Sequence, residues 1–228
     1  MKKEIYWSHG TFTAPDALLG PLYLVFCEVL NPDEPASQDL LRYHCELFYQ
    51  GNAAFSQPYY SRHNWLQARL GMVKPFLNTY YNTLSAHTDR QTYTFWEHMY
   101  RVSPHKTHEE AWFLMETRWM LYMEQADTLH LFKTIPRQWL EDGQSISLKG
   151  VRSYFGKLNV TATSHIRKNY IEAVIGGEFT ATPKTVTIRL PHPNNRIPKK
   201  VIGGVYDSQT ETVTITDFKG KASLRLEF

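Results

Sequence analysis

Cys27 and Cys45 are the only cysteines among 228 residues. They do not form a C-x-x-C pair, so no such metal-ligand spacing is present, and two thiols do not make a disulfide framework. Both are expected to be buried as small apolar side chains. Long hydrophobic runs are also lacking. The most apolar stretch, ALLGPLYLVFCEVL, is too short to cross a bilayer and contains Gly20 and Pro21. No membrane partner is therefore expected. The N-terminal MKKEIYWSHG has two lysines but no apolar run behind them, so no signal peptide is read there. If residue 1 is the true start, the cytoplasm is the default compartment.

A strong charge of one sign is missing as well, since the net charge is only +3. Its distribution is uneven. Residues 1–142 carry 12 Lys and Arg against 16 Asp and Glu, a net of −4, whereas residues 143–228 carry 13 against 6, a net of +7. Two regions with different surfaces follow. The basic residues of the second are spread among strand-like segments rather than clustered, so nucleic acid is not an expected partner. No internal repeat of fixed period is evident.

What the chain does contain is aromatic residues, 14% of the total, and they lie towards its front. All six tryptophans, at positions 7, 65, 96, 112, 119 and 139, precede the β texture that begins after IPRQWLEDG. Helical periodicity dominates this front part. ALLGPLYLVFCEVLNP reads as a buried helix interrupted near Pro21 and stopped before Pro32. SQDLLRYHCELFYQG reads as a helix with Ser37 as N-cap and Gly51 as its stop. NWLQARLG and VKPFLNTYYNTLSAHTD follow as two more, separated at Gly71. Thr107 and Glu110 have capping-box spacing, and the helix behind them, 111–123, is apolar nearly all round.

After that boundary the segments SISLKG, KLNVTATSHI, YIEAVIGG, TVTIRLP, KKVIGG, ETVTITDF and ASLRLEF are short, β-branched and punctuated by turn residues. They predict an antiparallel sandwich or barrel. Without tryptophan, that β region is expected to be a structural companion and not a sugar-stacking surface.

The titratable groups concentrate in TYTFWEHMYRVSPHKTHEEAWFLMETRWMLYME. Glu97, beside Trp96, is a carboxylate against aromatic surface, where desolvation suits a general acid or base; on spacing alone it also fits an ordinary loop or helix-end glutamate. Glu110 is accounted for by capping and Glu109 by the helix dipole. His98, His105 and His108 match no zinc-hydrolase spacing, so no metal is assigned. They fit loop histidines that hydrogen-bond a polar ligand. A second polar-aromatic stretch, FSQPYYSRHNW, supplies Tyr59, Tyr60, His63 and Trp65 just before or at a helix start, where cleft-lining loops sit; aromatic packing between helices is the equal alternative.

Together these residues resemble the end of (α/α)6-toroid glycoside hydrolases, and most nearly the α-L-rhamnosidase-like group. In that group a Thr…Trp-Glu motif implies a catalytic base, and a histidine in a following serine motif lines the sugar site. TYTFWEH offers Glu97 for the first role, and SPHKTH offers His105 or His108 for the second. SPHKTHEEAW has no Asn-His pair and no glycine soon afterwards. The resemblance implies an α+β multidomain chain: a partial α/α-toroid helical array over residues 1–135, then an antiparallel β-sandwich over 136–228. It also implies carbohydrate as partner, Glu97 as general base and no cofactor. Trp96, His98, His105, His108, Tyr59, Tyr60 and His63 would line the cleft.

A general acid from an earlier toroid half is not supplied by this stretch, and glycoside hydrolysis needs two carboxylates. The chain thus looks like the C-terminal portion of such an enzyme, with a homo-oligomer or partner chain covering its helix faces. A non-catalytic carbohydrate-binding or assembly module is the alternative reading. A histidine-cluster metal hydrolase is the third.

Overall fold

The computed structural model describes residues 19–50, 62–97 and 103–228. The chain divides into two compact units, Met1–Trp119 and Met120–Phe228.

The described helices are α1 (Leu19–Phe26), α2 (Pro35–Gln50), α3 (His63–Arg69), α4 (Val73–His87) and α5 (Thr107–Leu121). Pro21 does not interrupt α1. It lies in the first turn, where its missing N–H removes no helical bond. Ser37 lies inside α2 and its hydroxyl donates to the Asn31 carbonyl at 2.7 Å. Helix α3 has only seven residues, because left-handed backbone at Arg62 (φ 64°) and Gly71 (φ 70°) brackets it. Between α4 and α5 the chain forms a hairpin of β1 (Thr88–Asp89) and β2 (Thr94–Phe95), then an antiparallel bridge of Glu97 with Ser103.

Aromatic contacts organise this unit. The Phe26 ring lies edge-on to Trp65 and Trp112, and Tyr80 stacks on Phe113 at 4.6 Å. Cys27, expected to be buried, is exposed, since it follows the last residue of α1.

The second unit holds β3 (Tyr122–Gln125), β4 (Thr128–Leu131), a 3₁₀ turn (Arg137–Leu140), β5 (Ser145–Ser153), β6 (Gly156–His165) and β7 (Tyr170–Phe179). It continues with β8 (Thr185–Arg189), β9 (Lys200–Ile202), β10 (Val205–Asp207), β11 (Thr212–Thr216) and β12 (Lys221–Glu227). These pair into two five-stranded sheets, β10-β11-β8-β4-β3 and β5-β6-β7-β12-β9. Strict alternation sets the faces of the second sheet. Leu158, Val160 and Ala162 of β6, Ile171, Ala173 and Ile175 of β7, and Leu224 and Leu226 of β12 are buried. Asn159, Val174, Ser223 and their outward neighbours face solvent. In the first sheet Leu129, Leu131, Val186, Ile188 and Val213 are buried, each worth about 1.5–3 kcal/mol.

This architecture overturns the expected fold class. A partial toroid array followed by an antiparallel sandwich is not what forms: the described residues make five short helices and twelve strands in three sheets. Two physical reasons stand out. MLYMEQADTLHLF, read as part of the helical region, is the β3–β4 hairpin, and its turn puts the backbone of Ala126 at φ 50°. Alanine there carries none of the Asn-Gly or Gly-X chemistry that announces such turns. The pairing is also not purely antiparallel, because β4 runs parallel to β8.

One charged clamp ties the second unit together. Arg137, from the 3₁₀ turn, makes a bidentate pair with Glu211 at 2.5 and 2.8 Å, and Arg189 of β8 donates to the same carboxylate at 2.8 Å. The remaining donors reach the carbonyls of His192 and Ile135. Arg189 is only 5% exposed, so removing its counter-charge strands a buried cation. Glu211→Ala is expected to destabilise this unit by about 3–5 kcal/mol in denaturant unfolding. A loss within about 1 kcal/mol would mean that the clamp behaves as a surface pair.

Candidate functional site

Glu97 is positioned by two backbone hydrogen bonds between its own stretch of chain and the start of α5. Its N–H donates to the Ser103 carbonyl at 2.8 Å, and the Lys106 N–H donates to the Phe95 carbonyl at 2.9 Å. These bonds bring the Lys106 ammonium to 2.9 Å from the Glu97 carboxylate. One oxygen of the expected base is therefore committed to an ion pair. Trp96 is half-buried, its N–H donating to the His87 carbonyl at 2.8 Å.

His108 lies in the first turn of α5. Its Nε2 accepts a hydrogen bond from the Trp112 indole N–H at 3.0 Å, which assigns the ring proton to Nδ1. Nδ1 faces the Glu109 carboxylate at 3.5 Å. Burial pushes the His108 pKa down, the Arg62 and Lys106 cations push it further, and Glu97 opposes them. His108 is thus a neutral ring with Nε2 already occupied by the indole. The Arg62 guanidinium sits 3.6 Å over the Trp112 ring and is itself buried.

The other expected residues do not gather here. His105 is exposed on a left-handed turn with φ 56°. His63 opens α3 and is buried at 1% exposure. Tyr59, Tyr60 and His98 lie outside the described residues. Among the described residues no three His, Cys, Asp or Glu side chains come together as a metal site.

The start of α5 also differs from a capping box. Its first helical bond runs from the Glu110 N–H to the Lys106 carbonyl, and the Glu110 carboxylate accepts from the Phe95 N–H at 3.2 Å. Glu110 thereby ties the helix to β2. Glu109, read as a first-turn dipole partner, is fully buried.

A carboxyl group that sequence reasoning passed over lies two turns along the same face. Glu116 is fully buried and accepts a short hydrogen bond from the Asn64 amide of α3. Burial pushes its pKa up to about 8, with the Asn64 bond opposing. Next to it, the Tyr80 hydroxyl is 3.0 Å from the Thr117 hydroxyl, which donates to the Phe113 carbonyl. The seven-residue spacing of Glu109 and Glu116 was the available signal, since it puts both on one face of a helix rich in tryptophan and methionine.

Within the second unit, a groove of about 400 Å³ opens beside the 3₁₀ turn. Gln138, Trp139, Gln144, Ser145 and Ser147 line it with Leu121, Ile146 and Leu148. The turn is closed by the Trp139 N–H on the Pro136 carbonyl, and Leu140 is anchored in the core. That anchor leaves the Trp139 indole half-buried at the groove wall. The Ser147 and Thr161 hydroxyls are bonded at 3.1 Å, and Ser145 donates to the Ala162 carbonyl. The groove therefore combines one aromatic face with the amides of Gln138 and Gln144, from the 3₁₀ turn and the residue before β5, and the hydroxyls of Ser145 and Ser147 on β5. The expectation that the β part has no tryptophan surface is corrected: Trp139 belongs to the compact unit that contains both large sheets.

No protein-family model matches the chain, and no curated protein matches it.

The buried carboxyl yields a pH prediction. The Glu116 pKa is raised from 4.5 to about 8 in the folded protein. Between those values the unfolded chain has released the proton and the native state has kept it. Stability therefore falls as pH rises, by up to about 1.4 kcal/mol per unit from this group. Thermal unfolding should show Glu116→Gln gaining on the parent steadily from pH 4.5 towards 8. Parallel curves across that range would refute the assignment.

Proposed function

We propose that the protein is a carbohydrate-binding module that does not cleave its ligand, with Trp139 as its stacking platform. The observation that carries this reading is the Trp139 groove. An indole face suits the apolar side of a sugar ring, and Gln138, Gln144, Ser145 and Ser147 offer donors and acceptors for hydroxyl groups.

The chemistry of the first unit favours binding over hydrolysis. Glycoside hydrolysis needs one carboxyl to give a proton and another to take one. Glu97 holds the Lys106 ammonium, while Glu109 and Glu116 are shut away from solvent. His108 shares its Nε2 with Trp112.

Calorimetric titration with a panel of neutral oligosaccharides tests the proposal. Binding without turnover is expected, weakened at least about tenfold, or about 1.4 kcal/mol, by Trp139→Ala and left intact by Trp96→Ala. Equal binding by Trp139→Ala would overturn it. So would turnover that disappears in Glu97→Gln, which would restore the hydrolase reading.

A further inference from the structure

A second hollow, of about 500 Å³, lies on the outward face of the β6-β7-β12 sheet. Asn159, Thr161, Val174, Gly176, Lys219 and Lys221 frame it. The register explains its floor. Gly176 of β7 pairs with Asn159 on one side and Lys221 on the other, so all three point outward. A side chain at Gly176 would occupy the space that is left open there.

Gly176 itself has no backbone reason to be glycine. A Cβ added there would meet only ordinary contacts, the Gly220 carbonyl at 3.8 Å and the Lys221 side chain at 3.9 Å. At Gly177 a Cβ would meet the Lys157 carbonyl at 2.1 Å, so that glycine is required by packing. Glycine inside a strand is less favourable than alanine, because it loses more backbone freedom on folding and packs no side chain. The fold accepts that cost at Gly176 and gains an open floor.

Charge defines what fits. Neither Lys219 nor Lys221 has a carboxylate partner among the described residues. In the next row the Lys157 ammonium and the Glu178 carboxylate neutralise each other at 2.6 Å. The hollow is thus left with two positive groups in the segment 143–228, which carries a net charge of +7. One hydrogen bond joins its lining to that of the first groove. Ser147 lines one and Thr161 lines the other, and their hydroxyls are hydrogen-bonded at 3.1 Å. From β5 to β12 the surface spans three strand spacings, about 14 Å.

We propose that the Trp139 groove and the Gly176 hollow form one continuous track for an acidic oligosaccharide, whose carboxylate or sulfate groups are held by Lys219 and Lys221. The inference rests on the carbohydrate reading above and names its ligand class.

The test compares a neutral oligosaccharide with a uronic-acid oligosaccharide of equal length by calorimetry, at low and high salt. The acidic ligand is expected to bind at least tenfold tighter at low salt, about 1.4 kcal/mol, and to lose most of that advantage at high salt. The double variant Lys219→Ala/Lys221→Ala should bind both ligands equally. Gly176→Val should weaken the acidic ligand with an unchanged or raised melting temperature, because a β-branched residue suits the strand. Equal affinity for the two ligands, or an unaltered preference in the double variant, overturns the acidic track and leaves the neutral-sugar reading standing. Failure of both ligands to bind overturns the two together.

Discussion

The alternation of β6, β7 and β12 is the constraint from which the proposed surface follows. Register is fixed over the whole length of β6 against β7, and along β12 against β7. With Val160, Ala162, Ile171, Ala173, Ile175, Leu224 and Leu226 committed inward, Asn159, Thr161, Glu172, Val174, Gly176, Ser223 and Arg225 have only the outer face to occupy. A slip of one residue would exchange the two sets and bury Glu172 and Arg225 while exposing the isoleucines. The polar face is therefore a by-product of core packing, and its only free variables are the side chains placed on it. Gly176 and the two lysines are such choices. At the far end, Arg225 covers the Tyr170 ring at 3.7 Å and His165 packs on the same ring, so that part of the face is filled.

The helical unit follows a different logic. Its buried face along α5 is not an apolar stripe, since Glu109 and Glu116 are buried with Trp119 and Met120, while Leu114 is 69% exposed. A carboxyl in such a place is tolerable when it keeps its proton and shares a hydrogen bond, as Glu116 does with Asn64. Arg62 is accommodated by stacking, its guanidinium lying over Trp112 and near the Tyr23 ring. Polar groups here are held by particular neighbours, so this unit is specified by pairs more than by bulk hydrophobicity.

Much of the secondary structure was legible. Strands β5 to β9, β11 and β12 sit where β-branched residues and turn signals placed them, whereas the three-residue β10 (Val205–Asp207) was not among the segments read as strands. What periodicity could not reveal was long-range pairing: the parallel contact of β4 with β8 joins segments more than fifty residues apart and leaves no local trace. The β3–β4 hairpin hid behind an alanine in a left-handed turn. At the candidate site, the pairing of Glu97 with Lys106 depends on backbone bonds from Glu97 to Ser103 and from Lys106 to Phe95 that no motif encodes. Glu110 kept its place near the helix start but spends its carboxylate on Phe95. Trp139 was visible as a residue just ahead of the β-textured segments, but its place at a groove wall depends on a 3₁₀ turn four residues long.

The most direct test of the account is a crystal of the protein soaked with an oligosaccharide that it binds in solution. The account predicts a sugar ring stacked on Trp139, with further density running past Ser147 and Thr161 towards Lys221. Density beside Glu97 and Trp96, with the Trp139 groove filled only by solvent, would contradict it.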